Sequence, residues 1–451
     1  MNVYPELIKS PISDGKKYYL KKRPGVSTFY GPFPNAQGRG IFYWRANNAT
    51  YTVVGNQLYI DGSLLATLGT SVGPVGFAEY NNSTTDELIL CDGTNGYIIT
   101  SGNSVSQITG SGFPSPHIPN PIFLDGYLFL ATPGTQTLYN SALNDPTTWP
   151  SDGFIEAEMF PDAIVGLAKV QNYIACIGTG SIEWLYDNAN ATGSPLERNA
   201  PAVSQFGCPA PMTISQTEME LILVGETGNG GRTIWVINGF QPTEIANEPV
   251  REALDLEGSN MSNATGFTIQ CAGHKWYVLN LKGNQRTFVY DFEEQMWHEW
   301  SNGTGQNCFG FDYATDSLNG NPVLLGQNSI AAQLYSYAMS PSTYTDGGNT
   351  INCMVVTSKI DFDTIKRKRL YRLTLIADGP DGNTAVPITV SWSDDDYNTF
   401  TTGSTLYLGG GYSTITQLGY TRRRAFEFVY QQPYPLRMEA FEVDIIQEVR
   451  R

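Results

Sequence analysis

One short unit recurs along most of the chain and limits the folds it can adopt more than any other feature. Each copy has an apolar run, a turn of Gly, Asn or Asp, and a second apolar run that often carries aromatic residues. The copies start roughly 35–55 residues apart, a period typical of propeller blades. One blade cannot bury its faces alone, whereas a closed ring of blades can. The sequence therefore predicts an all-β protein built on a β-propeller of six or seven blades. The units lie at 51–69, 87–109, 122–143, 164–187, 219–246, 275–301 and 321–339.

The turns between the apolar runs carry the residues that hairpins need. Segments such as "CDGTNG" and "LKGNQ" supply Gly and Asn for positive φ angles. The Gly-rich stretch 225–232 joins two strand-like runs and lacks the Lys-Ser/Thr pair of a phosphate-binding loop, so we interpret it as a hairpin tip. Trp297 and Trp300 are expected to pack between blades rather than to stack on a ligand.

Composition divides the chain into four predicted segments. The C-terminal segment has long alternating runs such as "KRLYRLTLIAD", which predict a smaller antiparallel β-sandwich-like domain. The best helix candidate is 248–257, with Pro249 in its first turn. The four segments are a basic N-terminal segment at 1–45, the propeller at 46–340, a linker at 341–355 and the C-terminal β domain at 356–451.

The charge is strongly negative and unevenly distributed. The chain has 27 Lys and Arg against 43 Asp and Glu, a net charge of −16. Between Ala46 and Ala168 there is no Lys or Arg, while 11 acidic residues occur. Tight binding of nucleic acid needs basic side chains at the phosphates, so this stretch would repel DNA.

Residues that could serve catalysis, metal binding or membrane insertion are sparse. A Ser-His-Asp triad would have to use His117, His274 or His298, the three histidines of the chain. The six cysteines form no CxxC pair, and Cys91 and Cys176 sit in apolar runs, so buried free thiols are expected. No apolar run reaches the ~18 residues that span a bilayer, and no signal peptide is visible. We expect synthesis in a cytosol, no membrane insertion, no catalytic residue, no metal and no cofactor.

The stretch "SWSDDDYNTF" at 391–400 places Asp394, Asp395 and Asp396 in a row. Consecutive strand residues point to opposite faces and the D-x-D-x-D-G spacing is missing, which argues against calcium. The stretch is similar to the Asp-box hairpin of sialidases, in which Asp and Ser side chains satisfy the turn backbone. We predict a turn that holds without calcium, with a cation site and catalysis left as alternatives.

A glycan-binding or glycoside-hydrolysing propeller at a cell surface is therefore the alternative function. A sialidase needs arginines that converge on a carboxylate, and no sequence pattern places three together. The blades supply few: Arg45, Arg198, Arg232 and Arg251. Two basic clusters, at 366–369 and 422–424, fit either solvated strand edges or surfaces that dock on an acidic neighbour.

A series of short sequence segments, taken in order along the chain, resembles the packaged-DNA stabilisation proteins, or tail nozzles and hubs, of short-tailed bacteriophages. The most specific pair is "GSIEWLYD" (180–187) followed by "LERNAPAVSQFGCPAP" (196–211). The sequence departs from its relatives in "SDDDYNTF", where a Gly often follows the aspartates. The other segments of the series are "RPGVSTFY" (23–30), "LYIDGSLLATLGT" (58–70), "FLDGYLFL" (123–130), "LNDPTTWPSDGFIEAE" (143–158), "FVYDFEEQMWHEWS" (288–301) and "VSWSDDDYNTF" (390–400).

The resemblance implies a non-catalytic virion protein, assembled in the host bacterial cytoplasm. It implies a homohexameric ring or tube below the portal and adaptor that retains packaged DNA and conducts it during ejection. The implied partners are further copies of the chain, the adaptor or portal-side ring, tail fibre, spike or needle proteins, and double-stranded DNA passing without specific binding.

Two predictions combine this resemblance with the charges. The basic residues of the N-terminal segment are expected to dock on a neighbouring subunit or on the adaptor. They are Lys9, Lys16, Lys17, Lys21, Lys22 and Arg23. Carboxylates of the acidic stretch are expected on the lumen, or on surfaces facing it, where they keep the DNA track free of adhesion; an ordinary solvated outer face is the alternative. Its representative residues are Asp86, Glu87, Glu156, Glu158 and Asp162.

Overall fold

Strands make up most of the fold. The computed structural model of the chain describes residues 1–8, 18–82, 85–217, 219–303, 307–327, 334–380, 385–409 and 413–447. Helix α1 spans Glu248–Glu257, so the helix prediction is confirmed. It begins after Asn247, whose side chain accepts a hydrogen bond from the backbone N–H of Val250 and caps the first turn.

Three strands precede the blades, and six successive sheets follow them along the chain. Strands β1 (Val3–Leu7), β2 (Tyr18–Lys22) and β3 (Gly25–Phe33) come first. Blade 1 contains β4 (Gly38–Trp44), β5 (Ala49–Val54), β6 (Gln57–Ile60) and β7 (Ser63–Thr67). Blade 2 contains β8 (Gly76–Asn82), β9 (Thr85–Cys91), β10 (Gly96–Thr100) and β11 (Val105–Gln107). Blade 3 contains β12 (Ile122–Leu124), β13 (Tyr127–Ala131), β14 (Thr137–Asn140) and β15 (Phe154–Glu156).

The next three blades continue the same up-and-down order. Blade 4 contains β16 (Ile164–Val170), β17 (Tyr173–Gly178), β18 (Ile182–Asp187) and β19 (Leu196–Ser204). Blade 5 contains β20 (Phe206–Gly207), β21 (Ser215–Gln216), β22 (Glu220–Thr227), β23 (Arg232–Asn238) and β24 (Gln241–Glu244). Blade 6 contains β25 (Thr265–Cys271), β26 (His274–Leu281), β27 (Arg286–Asp291) and β28 (Met296–Trp300).

Blade 7 closes the ring with a strand from the other end of the sequence. It contains β29 (Tyr313–Thr315), β30 (Val323–Leu325) and β31 (Leu334–Ser340), and β3 pairs antiparallel with β31. The inner strands contact one another in order from β4 through β8, β12, β16, β21 and β25 to β29, which contacts β4 again. Among the described residues the protein is therefore a closed β-propeller of seven blades, as the repeat predicted.

The C-terminal part is a β-sandwich of two antiparallel sheets. Two short strands, β32 (Thr345–Asp346) and β33 (Asn349–Thr350), first extend the sheet of blade 7 beyond β3. One sandwich sheet has the order β34-β39-β36-β37, and the other has the order β1-β2-β40-β35-β38. These strands are β34 (Cys353–Val356), β35 (Lys368–Asp378), β36 (Val386–Ser393), β37 (Ser404–Leu408), β38 (Ser413–Thr421), β39 (Ala425–Tyr430) and β40 (Arg437–Gln447).

The strand pairings are more interleaved than the four segments predicted from composition. Within 1–45, β1 and β2 join the sandwich, β3 joins blade 7 and β4 starts blade 1. Within 341–355, β32 and β33 extend a blade, and β34 begins the sandwich. The domain boundaries themselves stay a prediction.

Apolar side chains are buried between neighbouring blades and between the two sandwich sheets. A typical inter-blade cluster joins Trp276 and Trp300 of blade 6 to Leu324 and Met339 of blade 7. The sandwich core includes Leu373, Val390 and Phe428, all nearly fully buried. Burial of apolar surface at this scale is the main stabilising contribution to such folds.

Strand β1 connects the two parts. It belongs to a sandwich sheet, yet the ring of Tyr4 packs edge-on against His274 and Trp276 of blade 6. The backbone N–H of Asn2 donates to the carbonyl of Glu299 at 2.7 Å. Sandwich and propeller therefore share a packed junction.

Candidate functional site

The three consecutive aspartates form a turn after β36. The Asp395 carboxylate accepts hydrogen bonds from the Ser393 hydroxyl at 2.8 Å, the Thr399 backbone N–H at 2.9 Å and the Thr399 hydroxyl at 2.5 Å. Bonds from Thr399, with that from Ser393, lower the pKa of Asp395 to about 2. The predicted self-satisfied turn is confirmed, with Asp396 and Tyr397 at positive φ.

The other two aspartates hold cations rather than turn backbone. Asp394 accepts a two-pronged pair of bonds from Arg424, at 2.8 and 2.6 Å. The Arg424 side chain is buried and also donates to the Leu418 carbonyl at 2.7 Å. Asp396 pairs with Lys359 and Arg423. This turn therefore anchors the "RRR" segment.

The two basic clusters of the sandwich are each partly buried, which neither sequence interpretation anticipated. Lys368 is fully buried, and its ammonium donates to the carbonyls of Asp361, Thr364 and Arg422 at 2.5–2.7 Å. Arg424 is the corresponding buried member of the second cluster. The interpretation as uniformly exposed clusters is therefore wrong for these two residues. The exposed members are Lys366, Arg367, Arg369, Arg422 and Arg423.

The N-terminal cations that the structure describes are engaged within the chain. Arg23 is fully buried and donates to Asn2, to the Ser301 carbonyl at 3.0 Å and to both oxygens of Asp346. Burial lowers the pKa of Lys22 to about 8, and its ammonium donates to the Gln432 carbonyl at 2.6 Å. Docking on a neighbour is thus wrong for Lys22 and Arg23, because their charged groups are occupied inside the fold.

Of the other cations in that N-terminal set, Lys21 is the one that the structure describes. Lys21 pairs with Glu6 at 2.6 Å in a half-exposed position on the hairpin. Lys9, Lys16 and Lys17 lie outside the described residues. The docking prediction is untested for these three.

The carboxylates expected on the lumen, or on surfaces facing it, lie at opposite ends of the propeller's inner strands. Asp86 and Glu87 follow the turn between β8 and β9. Glu156 ends the outer strand of blade 3, and Glu158 and Asp162 lie in the connection that returns to the start of β16. Alternate strands of a blade run antiparallel, so these two groups do not share one face of the propeller.

Their local roles also differ. Asp162 accepts bonds from the Gly180 and Ser181 backbone N–H groups, so it serves the turn between β17 and β18. Burial raises the pKa of Glu87. The neighbouring Glu158 carboxylate raises the pKa of Glu156, because two close carboxylates resist simultaneous ionisation.

The blade arginines are each engaged separately. Arg45 pairs with Asp316, and Arg198 pairs with the buried Glu183 at 2.9 Å. Arg232 pairs with Glu226 on blade 5. The fourth, Arg251 of helix α1, pairs with Glu244 and Glu248. These four lie on or between different blades, so they do not converge on one carboxylate as the sialidase alternative requires.

The three histidines and the cysteines are packed side chains. His274 Nδ1 lies 2.7 Å from Asp291; burial opposes its charged form, but the Asp291 carboxylate raises its pKa overall. Burial lowers the pKa of His298 to about 3. His117 Nδ1 lies 2.9 Å from the Pro114 carbonyl in a buried loop. Cys91 and Cys176 are buried free thiols as predicted, and burial raises their pKa.

The aromatic and Gly-rich motifs also have structural roles. Trp300 is buried against Trp276, and Trp297 donates to the Ile245 carbonyl at 2.7 Å, so the packing prediction is confirmed. The stretch 225–232 contains the turn between β22 and β23, as expected.

Two open clefts lie on the propeller. One, of about 410 Å³, is lined by residues of blades 1, 6 and 7, including Tyr43, Arg45, Gln270 and Asp316. The other, of about 330 Å³, includes Asp125, Tyr173 and Asp187. In the described ranges, no three His, Cys, Asp or Glu side chains are grouped so that they could hold a metal ion. Over the same ranges, no helix is long and apolar enough to cross a membrane.

The seven blades and their closure define a protein of the β-propeller class. Residues 1–312 match the family model described as bacteriophage P22 Gp10, β-propeller. The chain therefore belongs to this phage family, and the resemblance noted in the sequence is confirmed.

One relative and two solved structures show how similar the chain is to known proteins. The chain is 22% identical to the tail hub protein gp10 of Salmonella phage P22 over 333 residues, which are 69% of this chain and 67% of that protein. A streptogramin B lyase structure is 11% identical, with a TM-score of 0.47, covering 70% of this chain and 98% of the other. Virginiamycin B lyase from Staphylococcus aureus is also 11% identical, with a TM-score of 0.46 and the same two coverages. These two structures carry no argument about function.

Proposed function

We propose that the chain is a structural tail protein of a short-tailed bacteriophage, a hub or nozzle. In this proposal it forms a homohexameric ring or tube below the portal and adaptor, where it retains packaged DNA and conducts it during ejection. The observation that carries the proposal is the match of residues 1–312 to the P22 Gp10 family. The tail hub protein of phage P22 is the corresponding relative.

The fold supports a mechanical role. Strand β3 closes the propeller, and Arg23 joins that strand to β1, blade 6 and β32 through buried hydrogen bonds. A propeller closed by a strand from the other end of the chain resists opening, because breaking one local contact does not release a blade. A conduit that holds DNA under internal pressure needs such resistance.

The charge distribution supports passage without adhesion. The net charge is −16, and the cations Arg23, Arg39, Lys368 and Arg424 are buried. Each basic contact to phosphate adds affinity and salt dependence, so an acidic surface disfavours tight binding of DNA. Such a surface would slow the passage of DNA through the assembly less than a basic surface would.

The proposal is tested on purified full-length protein by native mass spectrometry and negative-stain microscopy. The expected result is a closed six-fold ring, formed alone or on addition of the adaptor ring. A monomer that stays monomeric with the adaptor present would contradict the proposal.

A further inference from the structure

The exposed side of the sheet β1-β2-β40-β35-β38 carries a compact group of basic, aromatic and apolar residues. We call it the basic face and define it as Arg367, Arg369, Tyr371, Tyr420 and Ile446. Arg369 on β35 lies opposite Tyr420 on β38 and Ile446 on β40, so these three side chains form one row across three strands. Tyr371 is 50% exposed and Ile446 is 56% exposed.

The arginines of this face are held over rings but are not neutralised. Arg367 lies 4.8 Å from the centre of the Tyr420 ring, and Arg369 lies 5.9 Å from both the Tyr371 and Tyr420 rings. Among the described residues neither arginine forms an ion pair, whereas nearby Arg372 pairs with Asp444 at 2.9 Å. Arg and Tyr beside exposed aliphatic groups are the composition of protein-binding hot spots.

A complementary surface lies on blade 3. We call it the acidic edge and define it as Phe154, Glu156, Glu158 and Met159. Its strand β15 is the last strand of its sheet. Phe154 is 43% exposed and Met159 is 41% exposed. The blade has no Lys or Arg of its own, and Arg198 of the neighbouring blade 4 is paired with Glu183.

Within the described ranges, neither Glu156 nor Glu158 forms an ion pair. Proximity to the Glu158 carboxylate raises the pKa of Glu156. Arg198 donates to the backbone carbonyl of Glu156, not to its carboxylate. A guanidinium from outside would relieve the repulsion between the two carboxylates.

We propose that the basic face of one copy docks on the acidic edge of a second copy of this chain. Two different surfaces then meet head to tail, which is the geometry that generates a ring when the rotation closes. Charge complementarity selects the partner and register, while Tyr420, Ile446, Phe154 and Met159 supply apolar contact. The inference rests on the proposed ring and assigns its contact surfaces.

The test reverses each surface in the full-length protein. One variant carries Arg367→Glu and Arg369→Glu, and a second carries Glu156→Arg and Glu158→Arg. Each is expected to weaken assembly about tenfold or more, because like charges then face each other. Combining all four substitutions restores opposite charges and is expected to recover assembly. Sedimentation velocity at two salt concentrations measures the association constant.

A matched control makes the same charge change elsewhere. Glu252 and Asp255 are exposed on helix α1, so Glu252→Arg with Asp255→Arg is expected to leave assembly as in the wild type. Thermal unfolding of every variant checks that the fold is intact.

The outcomes separate this inference from the proposed function. Rings that form normally in both reversed variants would overturn the docking surfaces and leave the hub proposal standing. A four-substitution variant that assembles no better than either double variant would also overturn them. Loss of binding to a DNA duplex by the Arg367→Glu/Arg369→Glu variant, with assembly unchanged, would assign the basic face to nucleic acid instead. A wild-type protein that stays monomeric even with the adaptor ring present would reject both proposals.

Discussion

At the scale of single residues, strand alternation decides which cations of a basic cluster are buried. Successive strand side chains point to opposite faces. Lys368 therefore points with Leu370 into the sandwich, while Arg369 between them points outward. The Lys368 ammonium donates to three carbonyl oxygens in place of water. A charge can be buried when it has such hydrogen-bond partners. A period-two reading of "KRKRL" could have found Lys368; nothing local in "RRR" identifies Arg424.

The ion pair between Asp394 and Arg424 gives a residue-scale prediction. Asp394→Asn removes the carboxylate and leaves a buried guanidinium short of its acceptor, at an expected cost of about 2 kcal/mol in the free energy of unfolding. Asp396→Asn is the control, since Asp396 pairs with exposed cations and Asn tolerates its positive φ. Denaturant unfolding measures both. Equal stability of the two variants would contradict the assigned role.

The same turn is expected to be indifferent to calcium. Its carboxylates already have protein partners, and a ligand stabilises only the state that binds it. Thermal unfolding with EDTA and with millimolar calcium should give the same midpoint. A shift of many degrees would establish a cation site.

At the scale of elements, hairpins follow from local sequence and ring closure does not. Turns such as 92–95 and 228–231 carry the Gly and Asn that predicted them, and the strands on either side pair as expected. Closure depends on β3 meeting β31, with Gly25 opposite Ser340. Local propensity carries no information about a partner so distant in sequence. The membership of β1 and β2 in the sandwich was missed for the same reason.

Gly25 provides an element-scale prediction at this closure. A Cβ on Gly25 would lie 2.3 Å from the Thr345 carbonyl oxygen, against backbone on strand β32. Gly25→Ala should therefore destabilise the fold by about 1–3 kcal/mol, as forced overpacking does. Gly228→Ala is the control, because a Cβ there meets nothing within 4 Å. An unfolding midpoint unchanged by Gly25→Ala would contradict this packing.

Deletion of residues 1–23 cannot separate an effect on assembly from an effect on folding. That segment contains β1, β2 and the buried Arg23, so its loss removes part of the sandwich and of the junction. Unfolding, rather than the loss of a docking contact, is the expected result. Point substitutions at Lys9, Lys16 and Lys17 test the docking prediction without removing these strands.

At the scale of the whole molecule, sequence indicated the architecture and the family but not the positions of the charges. The repeat predicted the blades because each unit must bury its faces against neighbours. The acidic stretch predicts carboxylates on the lumen or on surfaces facing it, yet the antiparallel course of the strands separates Asp86 from Asp162. A surface depends on three-dimensional neighbours, which a run of like charges does not specify.

DNA retention in virions is the most direct measurement of the proposed role. Particles of the phage would be assembled with and without this chain, and protected DNA would be counted after nuclease treatment. We expect particles without the chain to package DNA and then lose it, and purified protein added before that loss to preserve it. Equal amounts of protected DNA in the two kinds of particle would contradict a role in holding the packaged genome.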